Sequence, residues 1–234
     1  MIREAIILAG GLGTRLRSAV ADVPKCMAPV AGRPFIAYVT DYFLAAGIEK
    51  FIFALGYKSG YFDDFLQSAL PPGTYAVSAE PSPLGTGGAI QLACRLAGDE
   101  TVLVLNGDTF FGIRLEELSA LHVERQADCT LCLRPMQDFD RFGVVELGED
   151  QRVLDFREKQ HYTAGLINGG VYALNRASFL GEGLPPVFSF EKDYLEAFYT
   201  RRRLFGLVQD GYFIDIGIPE DYERAQYEML NDKL

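Results

Sequence analysis

Two short stretches carry many of the side chains that could do chemistry. The first, Leu8-Ala9-Gly10-Gly11-Leu12-Gly13-Thr14-Arg15-Leu16-Arg17, follows an apolar run and sets three glycines beside an arginine. Glycines let backbone amides approach a ligand closely, and the Arg15 guanidinium can bond phosphate oxygens, so the loop reads as a triphosphate cradle. The second, Pro24-Lys25-Cys26-Met27, follows within ten residues and adds another cation. A Walker loop would need Gly-Lys-Ser/Thr, which is missing, and a dinucleotide fingerprint would need glycine where Leu16 stands. No acidic residue ends the run 51–55 to hold a ribose. Asp108 comes just after the apolar run 101–105, which sets its carboxylate at a strand's carboxyl end. Asp215 follows the strand-like run 212–214. A strand-end cap at Asp108 and a helix-entry turn at Asp215 compete with roles in chemistry.

These residues must be positioned by an alternating framework. Short β-branched or aromatic runs predict strands over 5–8, 51–55, 75–79 and 101–105, and amphipathic stretches predict helices over 34–46, 59–69 and 87–96. Strand, helix and strand repeated three times imply right-handed crossovers and an α/β fold. It is Rossmann-like, with a doubly wound, mixed, mostly parallel sheet and a ligand crevice at the carboxyl ends of the strands. After Asp108 the rhythm changes. A helix over 115–126 is followed by strands over 130–133, 143–147, 152–158 and 170–174, with a hairpin turn at Gly148-Glu149-Asp150 and a closing helix over 219–230. That pattern predicts an added small lobe. No linker or repeat divides the chain, so residues 1–234 read as a single domain.

The Gly-Gly-x-Gly-Thr-Arg-Leu loop followed by Pro24-Lys25 resembles the signature of the sugar-1-phosphate nucleotidylyltransferases. The likeness extends in order through Glu80 to Ala89, Asn106-Gly107-Asp108-Thr109, Phe142-Gly143-Val144-Val145, Glu158-Lys159, Asn168-Gly169-Gly170-Val171-Tyr172 and Asp215-Ile216-Gly217. It covers nearly the whole chain and is nearest to the heptose 1-phosphate guanylyltransferase branch. The resemblance implies a nucleotidyltransferase fold with a small sugar-binding lobe, residues 1–110 mainly nucleotide-binding and 111–234 mainly sugar-binding and closing elements. It also implies that an anomeric phosphate oxygen attacks the α-phosphorus of a nucleoside triphosphate, with pyrophosphate leaving. Asp108 and Asp215 would then hold Mg²⁺, a preference of hard carboxylate oxygens. Arg15 and Lys25 would offset triphosphate charge, and Lys159 would take the sugar phosphate. Leu8, Ala9, Gly10, Gly11, Gly13, Thr14, Glu80, Gly85, Thr86 and Gly107 complete the expected nucleotide site. Gly143, Glu158, Asn168, Gly169, Gly170 and Glu191 complete the expected sugar pocket. No side-chain nucleophile is needed, since a phosphomonoester with a second pKa of about 6 is already ionised near neutral pH. Positioning and charge neutralisation become the main tasks.

Glu80 bears on the choice of base. A carboxylate only accepts hydrogen bonds, and guanine presents two adjacent donors, whereas adenine, cytosine and uracil do not. GTP is therefore expected over UTP, CTP and ATP, while D-glycero-α-D-manno-heptose 1-phosphate as acceptor is what the overall resemblance implies. Mannose 1-phosphate with GTP, or a UTP-using reaction, is the alternative. A catalytically silent nucleotide-sugar sensor is the alternative of another class, and the intact set Arg15, Lys25, Asp108, Lys159 and Asp215 disfavours it. A glycosyltransferase would show Asp-x-Asp where Asn106-Gly107-Asp108 stands.

Composition narrows the rest. With 22 Lys plus Arg against 32 Asp plus Glu, the net charge of −10 disfavours nucleic acid or an anionic membrane as partner. The apolar run 5–9 is too short for a signal-peptide core or a membrane span, so a cytoplasmic protein is expected. The four cysteines read as buried thiols. Cys129 and Cys132, three apart on a strand, should face opposite sides of the sheet. Tyr57, Tyr61 and Tyr194 are candidates for a homodimer contact, with pocket wall and core as the alternatives.

Overall fold

The computed structural model describes residues 1–11, 23–56 and 59–230. In chain order the strands are β1 (Glu4–Leu8), β2 (Pro29–Val30), β3 (Arg33–Pro34), β4 (Lys50–Leu55), β5 (Tyr75–Ala79), β6 (Thr101–Asn106) and β7 (Thr109–Phe111). They continue with β8 (Cys129–Phe139), β9 (Val144–Leu147), β10 (Val153–Arg157), β11 (Tyr162–Asn175), β12 (Leu204–Val208) and β13 (Phe213–Asp215). The α-helices are α1 (Phe35–Ala45), α2 (Asp63–Ala69), α3 (Gly85–Ala93), α4 (Leu115–Glu124), α5 (Arg176–Leu180) and α6 (Pro219–Leu230), and a π-helical segment spans Phe190–Glu196.

Parallel strands β5, β4, β1 and β6 form one half of a nine-stranded sheet among the described residues. Side chains alternate along each strand with period two, which gives the sheet two apolar faces. Ala5 and Ile7 of β1, Phe51 and Phe53 of β4, and Leu103 and Leu105 of β6 join one core; Ile6, Ile52, Ala54, Val102 and Val104 join the other. Each fully buried phenylalanine contributes roughly 2 to 3 kcal/mol. Cys132 and Cys129 fall on opposite cores, and all four cysteines are buried thiols.

Beyond β6 the sheet turns antiparallel. The inner half of β11 pairs with β6, and the same strand runs along β8 from Tyr162↔Phe139 to Leu174↔Cys129. The β8 pairing slips between Asn168 and Tyr172, where Gly170 holds a φ of +73° that a residue with a side chain rarely adopts. A strand from the chain's second half thus lies next to the parallel set.

Two elements depart from expectation. Strands β8 and β11 extend well beyond 130–133 and 170–174, because the outer half of β8 carries polar residues such as Arg134 and Gln137 and that of β11 is interrupted by Thr163 and Gly165, so neither shows a continuous apolar signal. Tyr194 is fully buried, with its ring edge-on to Phe179 and stacked on Phe190, so it offers no dimer contact. The π-helical turn winds it inward. Tyr61 is 46% exposed, and Tyr57 lies outside the described residues. No helix among the described residues is long and apolar enough to cross a membrane.

Candidate active site

A cavity of about 710 Å³ opens at the carboxyl ends of the parallel strands. Leu8 ends β1 and Ala9 to Gly11 follow it, Ala54 lies at the end of β4 with Gly56 just past it, Glu80 to Pro83 follow β5, Asn106 ends β6 with Asp108 just past it, and Gly85, Thr86 and Ala89 belong to α3. Glu191, Lys25, Cys26 and Gly217 complete the wall.

Asp108 and Asp215 meet through a small ribbon. Strand β7 leaves Asp108 and pairs antiparallel with β13 so that Asp215 lies opposite Thr109. The Ile216 amide also donates to the Asp108 carbonyl at 3.1 Å. Between the two carboxylates sits Lys25, presented by a 3₁₀ turn over Lys25–Met27 whose buried Cys26 anchors it in the core. The Lys25 ammonium donates to Asp108 Oδ2 at 2.5 Å and to Asp215 Oδ1 at 3.3 Å. Asp215 Oδ1 accepts a further bond from the Gly217 amide at 2.8 Å. Burial, and then the charge of Asp108, push the Asp215 carboxyl above its usual range, and Lys25 opposes the shift. Burial pushes the Cys26 thiol up to about 12, so it is a packing residue and not a nucleophile.

Glu80 is held in the cavity wall by the Leu84 amide, which donates to its Oε2 at 2.9 Å. Its Oε1 lies where Gly10 and Gly56 bring two backbones together. A Cβ added at Gly10 would stand 2.9 Å from that oxygen and 3.0 Å from the Gly56 nitrogen. Thr86 ties the nucleotide side to the far wall, since its hydroxyl donates to Glu191 Oε2 at 2.7 Å and accepts from the Phe190 amide at 2.8 Å. Ser189 also reaches Glu191 Oε2, at 3.0 Å.

The expected residues are therefore distributed unevenly. Leu8, Ala9, Gly10, Gly11, Lys25, Glu80, Gly85, Thr86, Asp108 and Glu191 line the cavity. Gly107 stands behind it, its amide bonded to the Leu8 carbonyl at 2.9 Å. Gly13, Thr14 and Arg15 lie outside the described residues. Glu158 and Lys159 are exposed just past β10, and Gly143 abuts the Arg157 carbonyl. Asn168 bonds the Tyr172 hydroxyl at 2.9 Å, Gly169 backs onto Phe111, and Gly170 backs onto Asn106. None of these six residues lines the cavity.

Sequence reasoning passed over Gly56, Asn106, Gly217 and the run Pro81-Ser82-Pro83 as lining residues. Gly56 had a usable signal, because it follows a predicted parallel strand at the end where ligands bind. Asn106 and Gly217 sit two positions from the singled-out aspartates.

Comparison with known proteins places this site in a family. Residues 4–232 match the family model described as nucleotidyl transferase. A D-glycero-alpha-D-manno-heptose 1-phosphate guanylyltransferase of Aneurinibacillus thermoaerophilus is 45% identical over 97% of this chain and 98% of its own length. One from Campylobacter jejuni is 42% identical over 94% and 96%. The crystal structure of HddC from Yersinia pseudotuberculosis complexed with GMP-PN superposes with a TM-score of 0.86 at 33% identity, covering 97% of this chain and all of that one. With its crevice at the strand ends and its paired aspartates, the chain belongs to the nucleotidyl transferase family.

Proposed function

We propose that this protein transfers GMP from GTP to D-glycero-α-D-manno-heptose 1-phosphate, releasing pyrophosphate and forming GDP-heptose. The chemistry is carried by Lys25 and Asp108, which line the strand-end cavity, and by Asp215, which is not itself a lining residue but bonds Lys25 from beside Gly217 in the wall. The near full-length likeness to two enzymes of that name favours guanine and heptose.

Two polyanions must be brought together, so the residues act by charge and position. Lys25 offsets triphosphate charge within the cavity, joined by Arg15 from the glycine loop. Glu80, already oriented by the Leu84 amide, turns its remaining acceptor capacity to the two donors of guanine. Glu191, fixed by Thr86 and Ser189, offers a carboxylate to sugar hydroxyls, and Lys159 receives the sugar phosphate.

The family implies a divalent ion, and the donor set fits one. Two carboxylate oxygens, from Asp108 and Asp215, converge on a single positive charge and would fill only part of a coordination shell. That leaves the remaining positions to phosphate oxygens and water, the arrangement Mg²⁺ favours. Bound there by Asp108 and Asp215, Mg²⁺ would neutralise charge developing on the triphosphate. A reaction that consumes GTP belongs in the cytoplasm, in keeping with four buried thiols.

Initial rates of pyrophosphate release with GTP, UTP, CTP and ATP, each against heptose, mannose and glucose 1-phosphates, test the proposal. GTP with the heptose 1-phosphate is expected to be fastest. Equal or better turnover of UTP would remove the guanine assignment, and nucleotide binding without turnover would favour a sensor.

A further inference from the structure

The two aspartates that would hold a metal already hold a cation. Lys25 reaches Asp108 at 2.5 Å and Asp215 at 3.3 Å, with its side chain only 15% exposed. The fit around the ammonium is tight, since a Cβ added at Gly217 would stand 3.0 Å from Lys25 Nζ and 2.8 Å from Asp215 Oδ1. Among the described residues no other lysine or arginine pairs with either carboxylate.

We propose that in the free enzyme Lys25 is the resident cation of the Asp108–Asp215 pair, and that a divalent ion enters only as Lys25 leaves, a step the triphosphate favours and a large excess of metal can force. This rests on the transferase reaction proposed above and assigns its loading order. A Mg²⁺ ion sits at roughly 2.0 to 2.1 Å from each carboxylate oxygen it binds. An ammonium bonded to the same two carboxylates crowds that ion and repels it. The place therefore takes one cation at a time. Withdrawing Lys25 breaks two charge-assisted hydrogen bonds, which is costly unless another anion receives the ammonium. The incoming triphosphate is that anion, and it brings its own metal-binding oxygens. Nucleotide and metal therefore load together, and the metal alone binds poorly.

The test uses Mn²⁺ alone on the full chain, followed by electron paramagnetic resonance without nucleotide. Lys25→Met is expected to bind Mn²⁺ about tenfold more tightly than wild type, a gain that disappears in Lys25→Met/Asp108→Asn. A Lys25→Met protein that binds Mn²⁺ no better than wild type overturns the proposal. A second measurement needs no variant. Acetylation of lysines in the wild-type protein, read by peptide mass spectrometry, should be slow at Lys25. Excess Mn²⁺ should speed it about fivefold relative to Lys50 by expelling the ammonium. An unchanged ratio overturns the proposal equally. Neither readout requires turnover, so a protein that releases no pyrophosphate from GTP would lose the transferase assignment while these results judged Lys25 on their own.

Discussion

At the nucleotide end of the cavity, charged groups far apart in the chain are already locked together. Lys25 and Asp215 are 190 positions apart, yet they meet at 3.3 Å because the β7–β13 ribbon sets Asp215 beside the end of β6. At the end proposed for the sugar, Glu158 and Lys159 are neighbours in sequence, and both stand in solvent outside the cavity wall. Only Glu191 reaches in from that set, and it does so because Thr86 and Ser189 hold it. The contrast teaches that preorganisation here comes from strand register and backbone amides, whatever the separation along the chain. Two nearby carboxylates cannot be left unpaired, whereas an exposed lysine and glutamate cost little while they wait.

The largest effect is expected from Asp108→Asn, which should lower kcat/KM for pyrophosphate release about 1000-fold by removing charge from the prebuilt end. The melting temperature should move by less than about 3 °C, since Lys25 keeps Asp215. A comparable fall in both would mean that the pair serves the fold.

Next in size is a control on acid conditions, which lies outside the cavity. His122 is 3% exposed, with Nδ1 facing the Thr130 hydroxyl at 3.0 Å. Burial lowers its pKa to about 4 despite Asp128. The unfolded chain, with a histidine pKa of about 6.5, binds the proton first as pH falls. Stability is thus complete above about pH 6.5 and declines toward pH 4, by about 3 kcal/mol in all. Urea midpoints across that range should show the decline for wild type and a flatter profile for His122→Gln. Parallel profiles would mean that His122 is not its source.

At the solvent-facing end, Lys159→Met should cost about 100-fold in kcat/KM for the sugar 1-phosphate, with the KM for GTP unchanged. No loss would show that its exposure is simply that of a surface lysine. The smallest effect is expected from Glu80→Gln, which should weaken GTP use by roughly 1 to 3 kcal/mol, the cost of leaving a guanine donor unpaired. Rates with all four triphosphates would reveal an unchanged preference if another group reads the base.

The same contrast explains what was legible in the sequence. The parallel half was readable because strands such as 51–55 are buried on both faces and bounded by helix signals, so each apolar run matches one element. Asp108 was readable as a strand-end residue for the same reason. The meeting of Asp108 with Asp215 was not, because the ribbon that joins them is three residues per strand and carries no periodic signal. Nor was the lysine between them, since ion pairing depends on distances that spacing does not encode. For Tyr194 the sequence does not separate a contact surface from the core, because the π-helical turn that places its ring in the core carries no spacing signal.

The most direct measurement is the rate of GDP-heptose formation from GTP and D-glycero-α-D-manno-heptose 1-phosphate at saturating Mg²⁺, compared between wild type and Asp215→Asn. The substitution keeps an acceptor for the Gly217 amide and relieves a buried charge, so the variant should melt at the same temperature or slightly higher. Wild type should make product and the variant about 100-fold less. Equal rates in the two proteins, or no product from wild type, would contradict the account.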